Sequence, residues 1–157
     1  MQHSLLLCMA LAGPVACTEW VEPMDSSRLS AMATRYAAAW SSQDPQRLAS
    51  FYAKNGALVV NAGAPAKGRP AIARKAREFM TAFPDMVVKM DSVRLDGNRA
   101  TFHWTWTGTN SGPGGTGRAV AMRGYEEWTL AANGLILESR GYYDEAEYQR
   151  QLGASGE

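Results

Sequence analysis

Polar and apolar positions follow two rhythms along the chain, a helical one before residue 83 and a two-residue one after it. SSRLSAMATRYAAAW, residues 26–40, sets Leu29, Met32, Ala33, Tyr36, Ala37 and Trp40 three or four apart. That spacing predicts an amphipathic helix, with Ser26 or Ser27 as its cap. SSQDPQRLASFYA offers Asp44 as a cap and Pro45 at the first helical position, and predicts a short second helix with Leu48, Phe51 and Tyr52 on one side. ALVVN reads as a brief strand. GRPAIARKAREFMTAF then restarts a helix at Pro70 that buries Ile72, Ala76, Phe79, Met80 and Phe83. Its charges, Arg74, Lys75, Arg77 and Glu78, fall on the opposite, solvated face.

Beyond Phe83 four strands are predicted: MVVKMDSVRL, RATFHWTWTGT after the turn DGN, AVAMRGYEEWTL, and LILESRGYY after the turn NG. EAEYQRQL closes the chain as a helix. The order α, α, β, α, β, β, β, β, α, with helices ahead of a run of strands, indicates an α+β fold: N-terminal helices packed on a strongly curved antiparallel sheet that encloses a cavity.

Strict alternation in TFHWTWTGT sends Thr101, His103, Thr105 and Thr107 to one face and Phe102, Trp104 and Trp106 to the other. Two orientations stay open. Either the tryptophans form an aromatic wall of the cavity and His103 lies outside, or the sheet is turned and His103 enters the site. On the next strand Tyr125 and Glu127 share a face, and Met122, Glu126 and Trp128 share the other. On the last, Glu138, Arg140 and Tyr142 alternate with Leu137 and Ser139. Glu127 and Arg140 can pair across strands as a structural contact, or one glutamate can assist or replace the aspartate discussed below.

Composition narrows the chemistry. A chain of 157 residues supports one domain rather than two. A net charge of +1, with basic residues scattered, gives no electrostatic footprint for nucleic acid. Both cysteines, Cys8 and Cys17, precede the body, which starts near residue 25 and has His103 as its single histidine. Thiol chemistry and clustered-histidine metal sites are therefore not expected there. An acid/base site without a metal or cofactor remains, with five Trp, six Tyr and four Phe available to line a pocket for a small hydrophobic ligand.

Residues 1–24 are read apart from the body. SLLLCMALAGPVAC, residues 4–17, has the length of a signal-peptide core rather than of a membrane span. Ala16 before Cys17 resembles the end of a bacterial lipoprotein signal, implying export and a lipid anchor at Cys17, although Pro14 stands where that motif has Leu. No Lys or Arg precedes the run. Translation from Met24, giving a cytoplasmic protein, is the alternative.

Particular words carry a resemblance: AFPD at 82–85, TGTNSGPGGTGR at 107–118, NGLILES at 133–139 and YYDEAEYQRQLG at 142–153. In this order they resemble the SnoaL-like polyketide cyclases within the nuclear-transport-factor-two-like superfamily, over roughly residues 27–153. The resemblance implies a cone-shaped fold, commonly homodimeric through the sheet. It further implies a cofactor-independent cyclase or isomerase that moves a proton on a small carbonyl-bearing ligand. Asp144 matches the family's acid/base aspartate by position. The family often has His two residues earlier, where this chain has Tyr142, and GTHTG where this chain has GTNSG with Asn110. The helix carrying Tyr36 also resembles ketosteroid isomerases, with Tyr36 at the place of their oxyanion-binding tyrosine and Asn61 at that of their base. An amide cannot abstract a proton.

Asp144, Tyr36 and His103 are thus the candidate catalytic residues. Trp40, Asn61, Trp104, Trp106, Tyr125, Glu127, Arg140 and Tyr142 are the candidate ligand contacts. Each has a plainer reading: Asp144 with Glu147 makes a helix-capping pair, Tyr36 is a core tyrosine, and His103 is a structural histidine among threonines. The Gly-rich NSGPGGTGR has no Walker Lys-Ser/Thr pair and reads as a hairpin loop at the cavity rim. A non-catalytic binding domain and a dimerisation module of the same fold remain the rival readings.

Overall fold

The computed structural model describes residues 24–153. The leader reading, with its anchor at Cys17, lies outside the described residues, as does everything else before Met24.

Helix α1 (Ser26–Trp40) starts one residue earlier than its serines suggest: Asp25 is the cap, accepting the Arg28 N–H at 2.8 Å. A carboxylate there satisfies an orphan amide and also complements the helix dipole. Helix α2 (Pro45–Ala49) is capped by Asp44 as expected. It ends before Tyr52, which opens strand β1 (Tyr52–Val60) instead of continuing the helical face. The switch comes where the Ile136 N–H bonds to the Phe51 carbonyl, so sheet pairing captures the backbone that helical periodicity had claimed. A two-residue strand β2 (Ala66–Lys67), too short to leave a periodic signal, precedes α3 (Arg69–Ala82).

The meander then runs β3 (Val87–Asp96), β4 (Arg99–Thr109), β5 (Ala119–Leu130) and β6 (Ile136–Tyr143), and α4 (Glu145–Leu152) closes the described chain. The six strands form one curved, unclosed sheet in the order β2-β1-β6-β5-β4-β3. The sheet is mixed rather than wholly antiparallel, because β1 pairs β6 in parallel. These two strands are separated by the entire meander, and a crossover of that length permits the parallel pairing that no hairpin could make. Register shifts at Met90/Ser92 and Thr129/Leu130 interrupt the ladders. Such bulges bend a strand, which helps wrap the sheet around α1.

Alternation resolves cleanly on β4: Phe102, Trp104 and Trp106 are buried on the concave face, and His103 and Thr107 are exposed on the convex one. Tyr36 of α1 meets Phe102 and Trp128 edge to face, with centroids 5.6 and 4.9 Å apart, which seats the helix on the concave face. The Gly-rich loop folds around Asn110, whose Oδ1 accepts the Thr116 N–H and whose amide donates to the Ala82 carbonyl at the end of α3.

Candidate active site

Between α1, α3 and the concave face lies a cavity of about 70 Å³. Trp40 of α1, Phe79 of α3, and Trp104 and Trp106 of β4 supply aromatic walls. Leu58 and Val60 from β1, Met86 just before β3 and Val88 within it complete its apolar lining. The remaining lining residues are Glu126, Gly141 and Tyr143. Among the described residues no Lys, Arg or His lines it.

Glu126 is the chemically distinctive group. It is 6% exposed and belongs to the inward phase of β5, with Met122 and Trp128. Three donors converge on one of its oxygens: Ser139 Oγ at 2.6 Å, Trp128 Nε1 at 2.8 Å and Tyr36 Oη at 2.9 Å all donate to Oε2. Among the described residues no donor reaches Oε1. Among the described residues the one fully buried side-chain polar atom without a partner is Trp104 Nε1, so Oε1, equally unpartnered, keeps accessible surface on a side chain that lines the cavity. Burial raises the Glu126 pKa above that of an ordinary glutamate, against the opposing pull of the Ser139, Trp128 and Tyr36 donors.

The Tyr36 and Tyr52 hydroxyls lie 2.8 Å apart. Burial, reinforced by the nearby Glu126, raises both phenols well above their usual range, so both stay neutral. With Glu126 ionised, the single Tyr36 hydrogen points at Oε2, and Tyr52 donates to Tyr36. The chain Tyr52–Tyr36–Glu126–Ser139 thus fixes the carboxyl from α1, β1 and β6 at once. Gly124 positions the wall: a Cβ there would fall 2.5 Å from Cζ2 and Cη2 of Trp104, so only glycine lets that indole lie across β5.

The expected residues divide by face. Tyr36, Trp40, Trp104 and Trp106 meet at the cavity or at its carboxyl. Asp144 is exposed at the N-cap of α4, accepting the Glu147 N–H at 3.0 Å, and does not line the cavity. His103 stands on the convex face at 5.7 Å from the Tyr125 ring, which in turn lies 5.0 Å from Tyr142. Those three rings, with Glu127 and Arg140, project away from the cavity because they occupy the other phase of their strands. Arg140 bonds Glu138 on its own strand at 2.7 Å, in place of the cross-strand pair with Glu127. Asn61 adopts φ 48°, accepts the Tyr143 N–H at 3.0 Å and donates to Glu145, tying β1 to the start of α4.

Glu126 is the residue that sequence reasoning passed over in favour of its neighbour Glu127. The available signal was its phase: in EEW, the first glutamate shares its face with the tryptophan. Among the described residues no cluster of three or more His, Cys, Asp or Glu side chains could hold a metal ion.

A family model, described as a SnoaL-like domain, matches residues 33–139. The chain belongs to this family. A protein from Jannaschia sp. CCS1 assigned to the SnoaL-like polyketide cyclases superposes with TM-score 0.74 at 18% identity, covering 86% of this chain and 97% of its own. TsrD from Streptomyces laurentii gives 0.73 at 20% identity, covering 84% and 99%. A ketosteroid isomerase-like protein from Catenulispora acidiphila DSM 44928, in complex with trimethylamine, gives 0.70 at 22% identity, covering 78% and 92%. At these identities the likeness establishes the SnoaL-like fold alone. No curated protein matches the chain in sequence.

Proposed function

We propose that this SnoaL-like chain is a cofactor-independent acid/base enzyme in which Glu126, rather than Asp144, exchanges a proton with a small, largely apolar ligand. The observation that carries this reading is the division of labour within one carboxyl. Oε2 is held by three donors, and Oε1 opens into an apolar cavity. A carboxyl whose pKa is raised by burial holds a proton closer to neutrality, where a general acid or base works best. In the protonated state Oε1–H donates to an acceptor atom of the ligand. In the ionised state Oε1 takes a proton back, and the three donors spread the charge left on the carboxylate. Tyr36 acts here as a positioning residue, since its hydroxyl is committed to Oε2 and Tyr52.

The cavity also limits the ligand. About 70 Å³ is near half the ~150 Å³ of an apolar cavity that holds benzene, so it takes a head of about three or four non-hydrogen atoms. The trimethylamine bound by the Catenulispora protein is of that size.

The test is a carbon-detected titration of the Glu126 carboxyl in the folded protein. The expected result is a midpoint clearly above that of a free glutamate. A midpoint at or below the free value would overturn the acid/base reading and leave a binding domain.

Homodimerisation is proposed on a separate observation. His103, Tyr125 and Tyr142 form a row of rings across β4, β5 and β6 on the convex face, with Tyr125 still 38% exposed. Sedimentation of the wild type and of Tyr125→Glu tests it: a dimer that dissociates in the variant supports the proposal, and a monomeric wild type refutes it.

A further inference from the structure

The acid/base reading leaves open which atom of the ligand meets Glu126. Two acceptors suit a protonated carboxyl: a carbonyl oxygen, as the family resemblance suggests, or an amine nitrogen. They differ in the charge that develops. Protonating an amine creates a cation, whereas proton abstraction beside a carbonyl creates an oxyanion.

The cavity is built for the first. Its aromatic walls, Trp40, Phe79, Trp104, Trp106 and Tyr143, offer the electron-rich ring faces that attract cations. The single carboxyl among the lining residues is Glu126, and no Lys, Arg or His joins it. An oxyanion is stabilised by preorganised donors aimed at the developing charge. Tyr36, Trp128 and Ser139 are already spent on Oε2. Trp104 Nε1 is fully buried in the wall, and the Tyr143 hydroxyl is engaged with Glu145. An oxyanion would therefore sit among ring faces beside a carboxyl, whereas an ammonium would find a counter-ion and cation–π partners together.

We infer that the ligand head is a small alkylamine, held as its ammonium against Glu126 Oε1 within the aromatic walls. This rests on the acid/base reading of the same site. When a neutral amine enters, the Oε1–H bond breaks as the N–H bond forms, leaving an ammonium–carboxylate pair and no other product.

The test uses trimethylammonium, the form trimethylamine takes at pH 8, against 2-propanol, a neutral probe of the same number of non-hydrogen atoms, and acetone as the carbonyl probe. Binding is followed by calorimetry and tryptophan fluorescence at pH 8. Trimethylammonium should bind roughly tenfold or more tighter than either neutral probe, the factor expected of desolvated cation–π and charge contacts. Glu126→Gln is expected to fold, because its amide oxygen can take the place of Oε2 and its NH₂ the cavity-facing place of Oε1. It should abolish the preference for the cation over the two neutral probes. Phe79→Leu, which removes a ring and no charge, should narrow the preference for trimethylammonium over 2-propanol. Equal binding of the three probes, or an unchanged preference in Glu126→Gln, overturns the amine assignment. The two readings fail separately: a raised Glu126 midpoint without cation preference sinks only the amine, and an ordinary midpoint with cation preference sinks only the acid/base role.

Discussion

Replacing Glu126 by Gln asks whether the buried carboxyl is a burden on the fold, as its surroundings imply. The side chain is 6% exposed, and burial outweighs its three donors, so its folded pKa lies above the ordinary value near 4.5. Below that ordinary value both folded and unfolded chains hold the proton, and the group imposes no pH dependence. Between the ordinary and the raised value, the folded chain keeps a proton that the unfolded chain has released. Stability of the wild type then falls with rising pH, by at most about 1.4 kcal/mol per pH unit for one proton. Above the raised value the deficit is constant. The amide carries no such penalty, and its oxygen still accepts from Ser139, Trp128 and Tyr36. The variant should therefore match the wild type most closely near pH 4, gain on it as the pH rises through the raised pKa, and keep a constant lead above it. Asp85 and Glu147, whose pKa values are lowered by Thr109 and by Arg150 and Gln151, make the opposite contribution in both proteins and cancel in the difference. Urea unfolding of the two proteins at half-unit steps from pH 4 to 8 measures this directly. Parallel stability curves would refute the reasoning, because they would mean the carboxyl titrates alike folded and unfolded.

Three further outcomes follow from the same geometry. Tyr36→Phe removes a donor that favours the ionised carboxyl, so the Glu126 titration midpoint should rise further in carbon-detected NMR. The fold should lose about 1–3 kcal/mol in urea unfolding, as the buried Tyr52 hydroxyl loses one of its partners. Gly124→Ala should destabilise by about 1–3 kcal/mol and shift the tryptophan emission, since the added methyl meets the Tyr142 carbonyl oxygen and the Trp104 ring. Asp144→Ala should cost about 1 kcal/mol as a lost helix cap and leave the Glu126 midpoint where it was. A moved midpoint would return Asp144 to the site.

Local chemistry is what the sequence determined by itself. Spacing alone located α1 and α3, alternation separated Phe102, Trp104 and Trp106 from His103, and the pairing of Asp144 with Glu147 marked the start of α4. Each depends on neighbours within a turn or a pleat. The family words likewise fixed the α+β class, which the SnoaL-like match supports.

Which set of alternating residues faces inward was decided only when α1 settled on one face of the sheet. Period-two spacing defines two faces and is symmetric between them. That choice separates Glu126 from Glu127, one residue apart in sequence and on opposite sides of the sheet. The parallel pairing of β1 with β6 was equally invisible, since both strands have the same local texture whichever way they run. The site's carboxyl owes its chemistry to partners on other elements, Tyr36 from ninety residues away and Ser139 from the next strand. Burial and donor placement are properties of the assembled fold, so no local pattern could have told a solvated glutamate from a buried one.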